Sequence, residues 1–285
     1  MTKHIPVLAK EVLEGLNLQP GATVIDATLG LGGHAKMILE IIGPKGHLIG
    51  FDRDENNLDQ ARQNLKEFKD QITLIKDSFG NMSKYDLPPA DAILFDLGFS
   101  SVHVDDASRG FSFLREGPLD MRYDKAQELT AEMIVNGWSK EELAQLFRVY
   151  GEEPKAREIA KAIFVARKKS RITSTVQLAE VVEDVIKHRG KAHPATRIFQ
   201  AIRIAVNDEF GEIEKGFASA VSQLNNRGRL AIISFHSLED KLIKNLIKDL
   251  AQLEKVTKKP IVPKYDEIKE NKRARSAKLR IAEKI

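Results

Sequence analysis

Residues 24–34 constrain the fold more than any other stretch: Val24-Ile25-Asp26-Ala27-Thr28-Leu29-Gly30-Leu31-Gly32-Gly33-His34. Val24 and Ile25 suit a strand covered on both faces, as in a parallel sheet. Gly30, Gly32 and Gly33 then let the backbone turn sharply and approach a ligand closely. A helix is predicted over 35–42, its unpaired N–H groups directed at that ligand. Strand, glycine turn and helix in succession open a βαβ unit, with the ligand expected at the carboxyl ends of the strands.

Gly30, Gly32 and Ala35 also fit G-x-G-x-x-A, the fingerprint of a nicotinamide dinucleotide. Asp26 argues against that ligand, because a carboxylate just before the turn would face a doubly charged pyrophosphate near the helix N-terminus. A cationic ligand suits the acid, and S-adenosylmethionine carries both a sulfonium and an ammonium. The second predicted strand, 47–51, ends in Asp52, where a ribose diol can receive two hydrogen bonds in either cofactor. The third, 72–76, leads into Asp77-Ser78-Phe79, a polar edge with an aromatic face for an adenine. The fourth, 92–95, ends in Asp96-Leu97-Gly98. Acids at the carboxyl ends of four successive strands favour a methyl-donor pocket over a dinucleotide site, with a nicotinamide-dependent oxidoreductase as the alternative.

The chain of 285 residues is 42% hydrophobic, enough for one large α/β domain carrying an insert. No apolar run approaches the roughly 18 residues of a membrane span, and the first residues lack a signal-peptide core, so a soluble, cytoplasmic protein is expected. Cysteine is absent, which excludes disulfides, thiolate zinc sites and cysteine-ligated iron–sulfur clusters. It also excludes the cysteine nucleophile that methylation at pyrimidine carbon 5 ordinarily requires, leaving nitrogen or oxygen as acceptor. The net charge of +4 is uneven: residues 255–285 hold 11 Lys and Arg against 4 Asp and Glu. A basic tail on a near-neutral body fits either a polyanion partner such as nucleic acid or a solvated basic surface.

Along the chain, Val12, Leu13 and Leu16 mark a helix before the first strand, and Leu58, Ala61, Leu65 and Phe68 mark one over 54–68. Residues 105–122 are too polar and turn-rich for a regular element, and long loops are often functional. Three helices follow, two of them opened by capping boxes at Ser139 and Ser174. The sheet pattern resumes at 228–235, and a helix over 237–250 is expected to take Ser237 as its N-cap. Alternation over 278–282 predicts a half-exposed strand closing the sheet. The expected domains are 1–105 with 206–285, and an inserted helical lobe over 106–205.

Several strings resemble one family. They are His4-Ile5-Pro6-Val7-Leu8, Asp26-Ala27-Thr28 with Gly30 and Gly32-Gly33-His34, Asp96-Leu97-Gly98-Phe99-Ser100-Ser101, and Arg109-Gly110-Phe111-Ser112-Phe113. Gly117-Pro118-Leu119-Asp120-Met121-Arg122, Tyr150-Gly151-Glu152-Glu153, His193-Pro194-Ala195-Thr196-Arg197, Ile233-Ser234-Phe235-His236-Ser237-Leu238-Glu239-Asp240 and Ala274-Arg275-Ser276 extend the match to the end of the chain. Together they resemble the RsmH/MraW family of bacterial small-subunit ribosomal RNA cytosine-N4 methyltransferases. The resemblance implies a class I, Rossmann-like fold with an inserted helical lobe and methylation of a cytidine amine in the decoding region. S-adenosylmethionine is the implied cofactor, and no metal is expected. The implied partner is small-subunit rRNA, within the ribosomal subunit, and a non-catalytic rRNA-binding assembly factor is the alternative.

Carried over by position, the family's cofactor contacts fall on Gly32, Gly33, His34, Asp52, Phe79, Asp96 and His103. Where many members read Val-Ser-Ser-Pro-Gln, this chain has Phe99, Val102 and His103. Asp96 is the candidate to accept a hydrogen bond from the reacting amine, with the carbonyls of Leu97 and Gly98 sharing that role and Ser100 or Ser101 orienting the base. Phe111 and Phe113, beside Arg109, either pin their loop to the core or stack on a splayed base. Arg167, Lys168, Lys169 and Arg171, with Lys272, Arg273 and Arg275, are candidate phosphate contacts.

Overall fold

The computed structural model describes residues 6–98, 106–187 and 193–285. Its contacts divide the chain into two compact units, Met1–Gly98 with Phe210–Ile285, and Phe99–Glu209.

The first unit is built on a seven-stranded sheet: β1 (Thr23–Asp26), β2 (His47–Asp52), β3 (Ile72–Lys76), β4 (Ala90–Asp96), β5 (Leu224–Ser234), β6 (Leu253–Lys255) and β7 (Lys278–Lys284). The order is β3-β2-β1-β4-β5-β7-β6. β1 to β5 pair in parallel, while β7 runs antiparallel to both β5 and β6. This order, with one reversed strand, is that of class I methyltransferases, a Rossmann-like α/β fold. β7 does not close the sheet as its alternation suggests. It lies inside, and the three-residue β6 covers the edge. Its Leu279 and Ile281 are buried on one face, while on the other Ala282 is buried and Lys278, Arg280 and Lys284 are half-buried, in keeping with the alternation.

Alternate residues of each strand serve opposite faces. Val24, Leu48, Ala92, Leu94, Ala231 and Ile233 pack with α1 (Ala9–Leu16), α2 (Gly33–Ile42) and α3 (Glu55–Asn64). Ile25, Ile49, Phe51, Ile93, Phe95 and Ile232 pack on the other side, against Phe217 and Val221 of α9 (Glu209–Gln223) and Ile243 and Ile247 of α10 (Ser237–Asp249). A sheet covered on both faces explains why its parallel strands read as continuous apolar runs. The predicted helix over 54–68 stops at Asn64, and a separate 3-10 turn spans Lys66–Gln71. An apolar spacing of three or four residues is met by either helix, so periodicity cannot locate the break. At the end of α9, β5 takes up extra residues, since Ala90 pairs with Leu224 and Ala92 with Arg229.

The second unit contains α4 (Ala131–Gly137), α5 (Lys140–Val149), α6 (Ala156–Lys169), α7 (Thr175–Val185) and α8 (Thr196–Asn207), so five helices stand among the described residues where three were predicted. The capping boxes at Ser139 and Ser174 both form. The helices enclose a core of their own that includes Ile134, Leu143, Phe147, Ile159, Ile163, Leu178 and Ile202.

Candidate functional site

The glycine turn works for two separate reasons. Gly30 and Gly32 adopt φ of 54° and 81°, where a Cβ is strained. A Cβ on Gly32 would also lie 3.1 Å from the Leu65 side chain, which is packed beneath the turn. The turn leads into α2 with no side-chain cap and no acid in its first turn, so the helix presents its positive end uncompensated.

Three carboxylates surround that end. Asp26 is level with Gly50 on β2 and Leu94 on β4, so Asp52 and Asp96 lie two residues further along their strands. The period of two therefore directs all three side chains to the sheet face that carries α2. Asp52 is held by donors on both sides. Its Oδ2 accepts from the Gly30 N–H at 3.0 Å, its Oδ1 from the Asp54 N–H at 2.8 Å, and Asn57 Nδ2 reaches both oxygens at 3.2 Å. Asp54, rather than Asp52, caps α3. Asp96 is fixed through its backbone, whose N–H donates to Thr28 Oγ1 at 2.6 Å, and its Oδ1 has no hydrogen-bond partner among the described residues.

His34, in the first turn of α2, is buried beside this acid, with Nε2 3.6 Å from Asp96 Oδ2. Neither ring nitrogen has a hydrogen-bond partner among the described residues. Asp26 is 2% exposed and accepts the Thr28 N–H at 3.1 Å. Burial pushes its carboxyl up to about 7, against the lowering effects of His34 and the Thr28 hydrogen bond, with Asp96 and Asp52 adding to the rise. Among the described residues, buried Asp26, the Asp96 Oδ1 and both His34 nitrogens are thus short of compensating charge or hydrogen bonds, which is costly unless a ligand supplies a cation and complementary donors. A nucleoside bearing a sulfonium and an ammonium fits this set, and a pyrophosphate does not.

The loop after β3 is organised locally. Burial raises the Asp77 carboxyl, but hydrogen bonds from Asn81, the Ser78 N–H and Tyr85 outweigh it and hold the group below the usual carboxylate range. Asp77 is therefore a turn-builder. Phe79 packs edge-on against Phe95 with centroids 5.3 Å apart and also lies against Gly216, remaining half-exposed. Gly98 lies against the Phe235 ring, 2.7 Å from where a Cβ would stand. Leu97 donates its N–H to the Ile233 carbonyl at 3.0 Å. Ser100 and His103, with Phe99, Ser101 and Val102, lie outside the described residues, as do His4 and Ile5.

The candidate RNA residues divide. Arg109 is 5% exposed, and its guanidinium donates to the carbonyls of Arg122 and Tyr123 at 3.0 and 2.9 Å. It organises the 106–123 loop and offers no open charge to a phosphate, which corrects its reading as an RNA contact. Phe111 stacks on Tyr123 at 5.4 Å, and Phe113 stacks on His193 at 4.4 Å and meets Phe199 edge-on, so both rings pin that loop to the helical core. Arg167 donates to the Val135 carbonyl, and Arg171 pairs with Glu132 at 2.6 Å. Lys168 lies over the Phe164 ring, and Lys169 is exposed. Lys272, Arg273 and Arg275 are all exposed, in a 3-10 turn spanning Lys272–Ser276. The N-cap of α10 is His236, not Ser237. His236 Nδ1 accepts the Glu239 N–H while Glu239 reaches back to the His236 N–H, so the imidazole takes the place expected for the hydroxyl one residue on.

Sequence reasoning missed two supports of the site. Asn57 clamps Asp52 from the first turn of α3, a spacing of five residues that a search for amides near the strand end would have found. Glu212 of α9 bonds both Ser78 and Arg53, joining the loops that follow Asp52 and precede Phe79. Its 134-residue separation from Ser78 leaves no local signal. A cavity of about 320 Å³ near Asp91 and Arg229 lies at the opposite, amino ends of the strands and is unrelated to the acids.

Comparison with known proteins bears on this geometry. A protein named ribosomal RNA small subunit methyltransferase H from Dictyoglomus thermophilum is 47% identical over 287 residues, covering 99% of this chain and 96% of that protein. Proteins of the same name from Elusimicrobium minutum and Persephonella marina are 46% and 45% identical, covering 99% and 100% of this chain and 98% and 100% of their own lengths. The family model described as MraW methylase matches residues 1–285. The chain thus belongs to the MraW methylase family.

Proposed function

We propose that this chain transfers a methyl group from S-adenosylmethionine to the exocyclic N4 amine of a cytidine in small-subunit ribosomal RNA. The observation that carries the reading is the convergence of Asp26, Asp52, Asp96 and His34, whose ring nitrogens have no hydrogen-bond partner among the described residues, on the uncapped start of α2, in a chain whose full-length relatives bear an rRNA methyltransferase name. The donor's cationic end suits Asp26. Asp52, held at the end of β2 by Gly30, Asp54 and Asn57, is the candidate acceptor for a ribose diol, which would take the place of the shared Asn57 Nδ2 contact. His34 supplies a ring nitrogen to the same ligand, and Phe79 an aromatic surface.

A bound S-adenosylmethionine supplies an already activated methyl, so the protein's task is positioning. The cytosine amine is a poor nucleophile because its lone pair is delocalised into the ring. Holding it in line, about 3 to 3.5 Å from the methyl carbon, supplies much of the acceleration. Asp96 Oδ1, which has no hydrogen-bond partner among the described residues, is the acceptor for one amine hydrogen, favouring a pyramidal nitrogen and balancing the positive charge that develops there. The carbonyls of Leu97 and Gly98 extend the same edge, and Ser100 is the candidate to orient the base.

The test is transfer of labelled methyl from S-adenosylmethionine to small-subunit RNA and, separately, to assembled subunits, with primer extension to locate the modified base. Calorimetry should show the donor and its demethylated product binding, and Asp52→Ala should weaken both. Tight NADH binding with no methyl-donor binding would refute the reading.

A further inference from the structure

After β6 the chain does not trail away from the first unit. The Ile261 and Leu279 backbones exchange two 2.9 Å hydrogen bonds, the Val256 N–H donates to the Ile281 carbonyl, and Ala274 is fully buried. The short helix α11 (Tyr265–Glu270) is tied down by Glu267, whose Oε1 accepts the Leu8 N–H at 2.7 Å. Residues 256–275 thus form a fixed surface.

On that surface Tyr265 is 79% exposed and Val262 56% exposed. Among the described residues the Tyr265 ring has no aromatic partner and its hydroxyl no hydrogen bond. Single exposed apolar residues are ordinary. This one is an aromatic set among cations: Lys258, Lys259, Lys264, Lys269, Lys272, Arg273 and Arg275 are all exposed, against only Asp266, Glu267 and Glu270. Glu267 is already engaged with Leu8. Lys258, Lys259, Lys264, Lys269, Lys272 and Arg275 form no ion pair among the described residues. An isolated aromatic plane beside unneutralised cations, on a rigid support, is the arrangement that stacks an unpaired base while neutralising the phosphates beside it.

We propose that Tyr265 is a base-stacking residue of a single-stranded RNA contact formed by residues 256–275. This rests on the RNA-directed reading above and adds a site remote in sequence from the acids. Stacking and charge neutralisation separate experimentally, because only the second depends on salt.

The experiment uses the full chain and two probes, a fluorescein-labelled unstructured RNA oligonucleotide and transcribed small-subunit RNA, titrated over a series of salt concentrations. Tyr265→Ala is expected to weaken binding about five- to a hundredfold with the salt slope unchanged, and Tyr265→Trp or Tyr265→Phe to retain parental affinity. Paired Lys272→Gln and Arg275→Gln should instead lower the slope by about one per lost phosphate contact. Parental affinity in Tyr265→Ala overturns the proposal, as does a fall in slope matching that of the charge variants. Displacement of the RNA by polyglutamate at equal charge concentration overturns it too, since that polymer has no bases to stack. If the parent binds neither RNA the proposal fails, and methyl transfer measured alongside shows whether the RNA-methyltransferase reading fails with it.

Discussion

Replacing Asp26 with Asn tests the electrostatics of the site directly. The carboxyl is 2% exposed, and burial pushes it from its ordinary 3.8 up to about 7, opposed by His34 and the Thr28 N–H. Because the folded pKa exceeds the unfolded one, the native chain retains a proton that the unfolded chain loses. The contribution of Asp26 to stability is thus most favourable below pH 4, declines as pH rises towards 7, and is flat above it. At about 1.4 kcal/mol per pH unit, the decline amounts to ~4 kcal/mol at most. That is a sizeable part of the 5–15 kcal/mol typical of a folded domain. An Asn side chain has no charge to bury and can still accept the Thr28 N–H through Oδ1. Asp26→Asn should therefore gain stability relative to the parent between pH 4 and 7, with no further gain above pH 8. Urea titrations at several pH values, followed by circular dichroism, measure the difference. The sole tryptophan, Trp138, lies in the helical unit, so its fluorescence monitors that unit's unfolding separately. A parent-to-variant difference that stays constant within about 0.5 kcal/mol across this range would refute the reasoning.

Cofactor binding should invert the effect of Asp26: at pH 7 calorimetry in buffers of different ionisation enthalpy should show more proton release for the parent than for Asp26→Asn, as a cationic ligand returns the buried group to its charged form. Asp96→Asn should lower single-turnover methyl transfer at saturating cofactor by tenfold or more while leaving RNA affinity within about twofold; an unchanged rate would remove Asp96 from the reacting edge. Arg109→Ala should destabilise the helical unit, read by Trp138 fluorescence, by roughly 2 kcal/mol or more, because it removes two hydrogen bonds from a buried charge-bearing side chain and opens a void. Ser174→Ala should cost the same unit about 1 kcal/mol through loss of the cap on α7.

Much of the fold was legible in the chain because it is specified locally. The sequence Val24 to His34 carries its own strand, its turn at positive φ and its helix start, and no distant residue is needed to read them. Parallel strands covered on both faces appear as apolar runs, and an acid after such a run stands at the carboxyl end of the sheet, which is why Asp26, Asp52, Asp77 and Asp96 could be grouped from the chain alone; only the hydrogen bonds of Asp77 to Asn81, Ser78 and Tyr85 set it apart as a turn-builder. The two serine capping boxes were readable for the same reason, since donor and acceptor lie three residues apart.

Other features depend on partners that the primary structure does not identify. The alternation over 278–282 marks a strand but not its neighbours, and only the pairing of β7 between β5 and β6 makes it interior. Arg109 has the composition of a phosphate contact, yet the fold of 106–123 brings the Arg122 and Tyr123 carbonyls around its guanidinium and buries it. His236 displaced Ser237 as the cap because the chain leaves β5 extended at φ −141°, bringing Nδ1 to the Glu239 N–H. The bonds of Glu212 to Ser78 and Arg53 are likewise a product of tertiary structure. Backbone preference and hydrophobic period are properties of a few adjacent residues. Burial, hydrogen-bond satisfaction and the raised pKa of Asp26 depend on which distant groups exclude water from a side chain, and only the folded chain decides that.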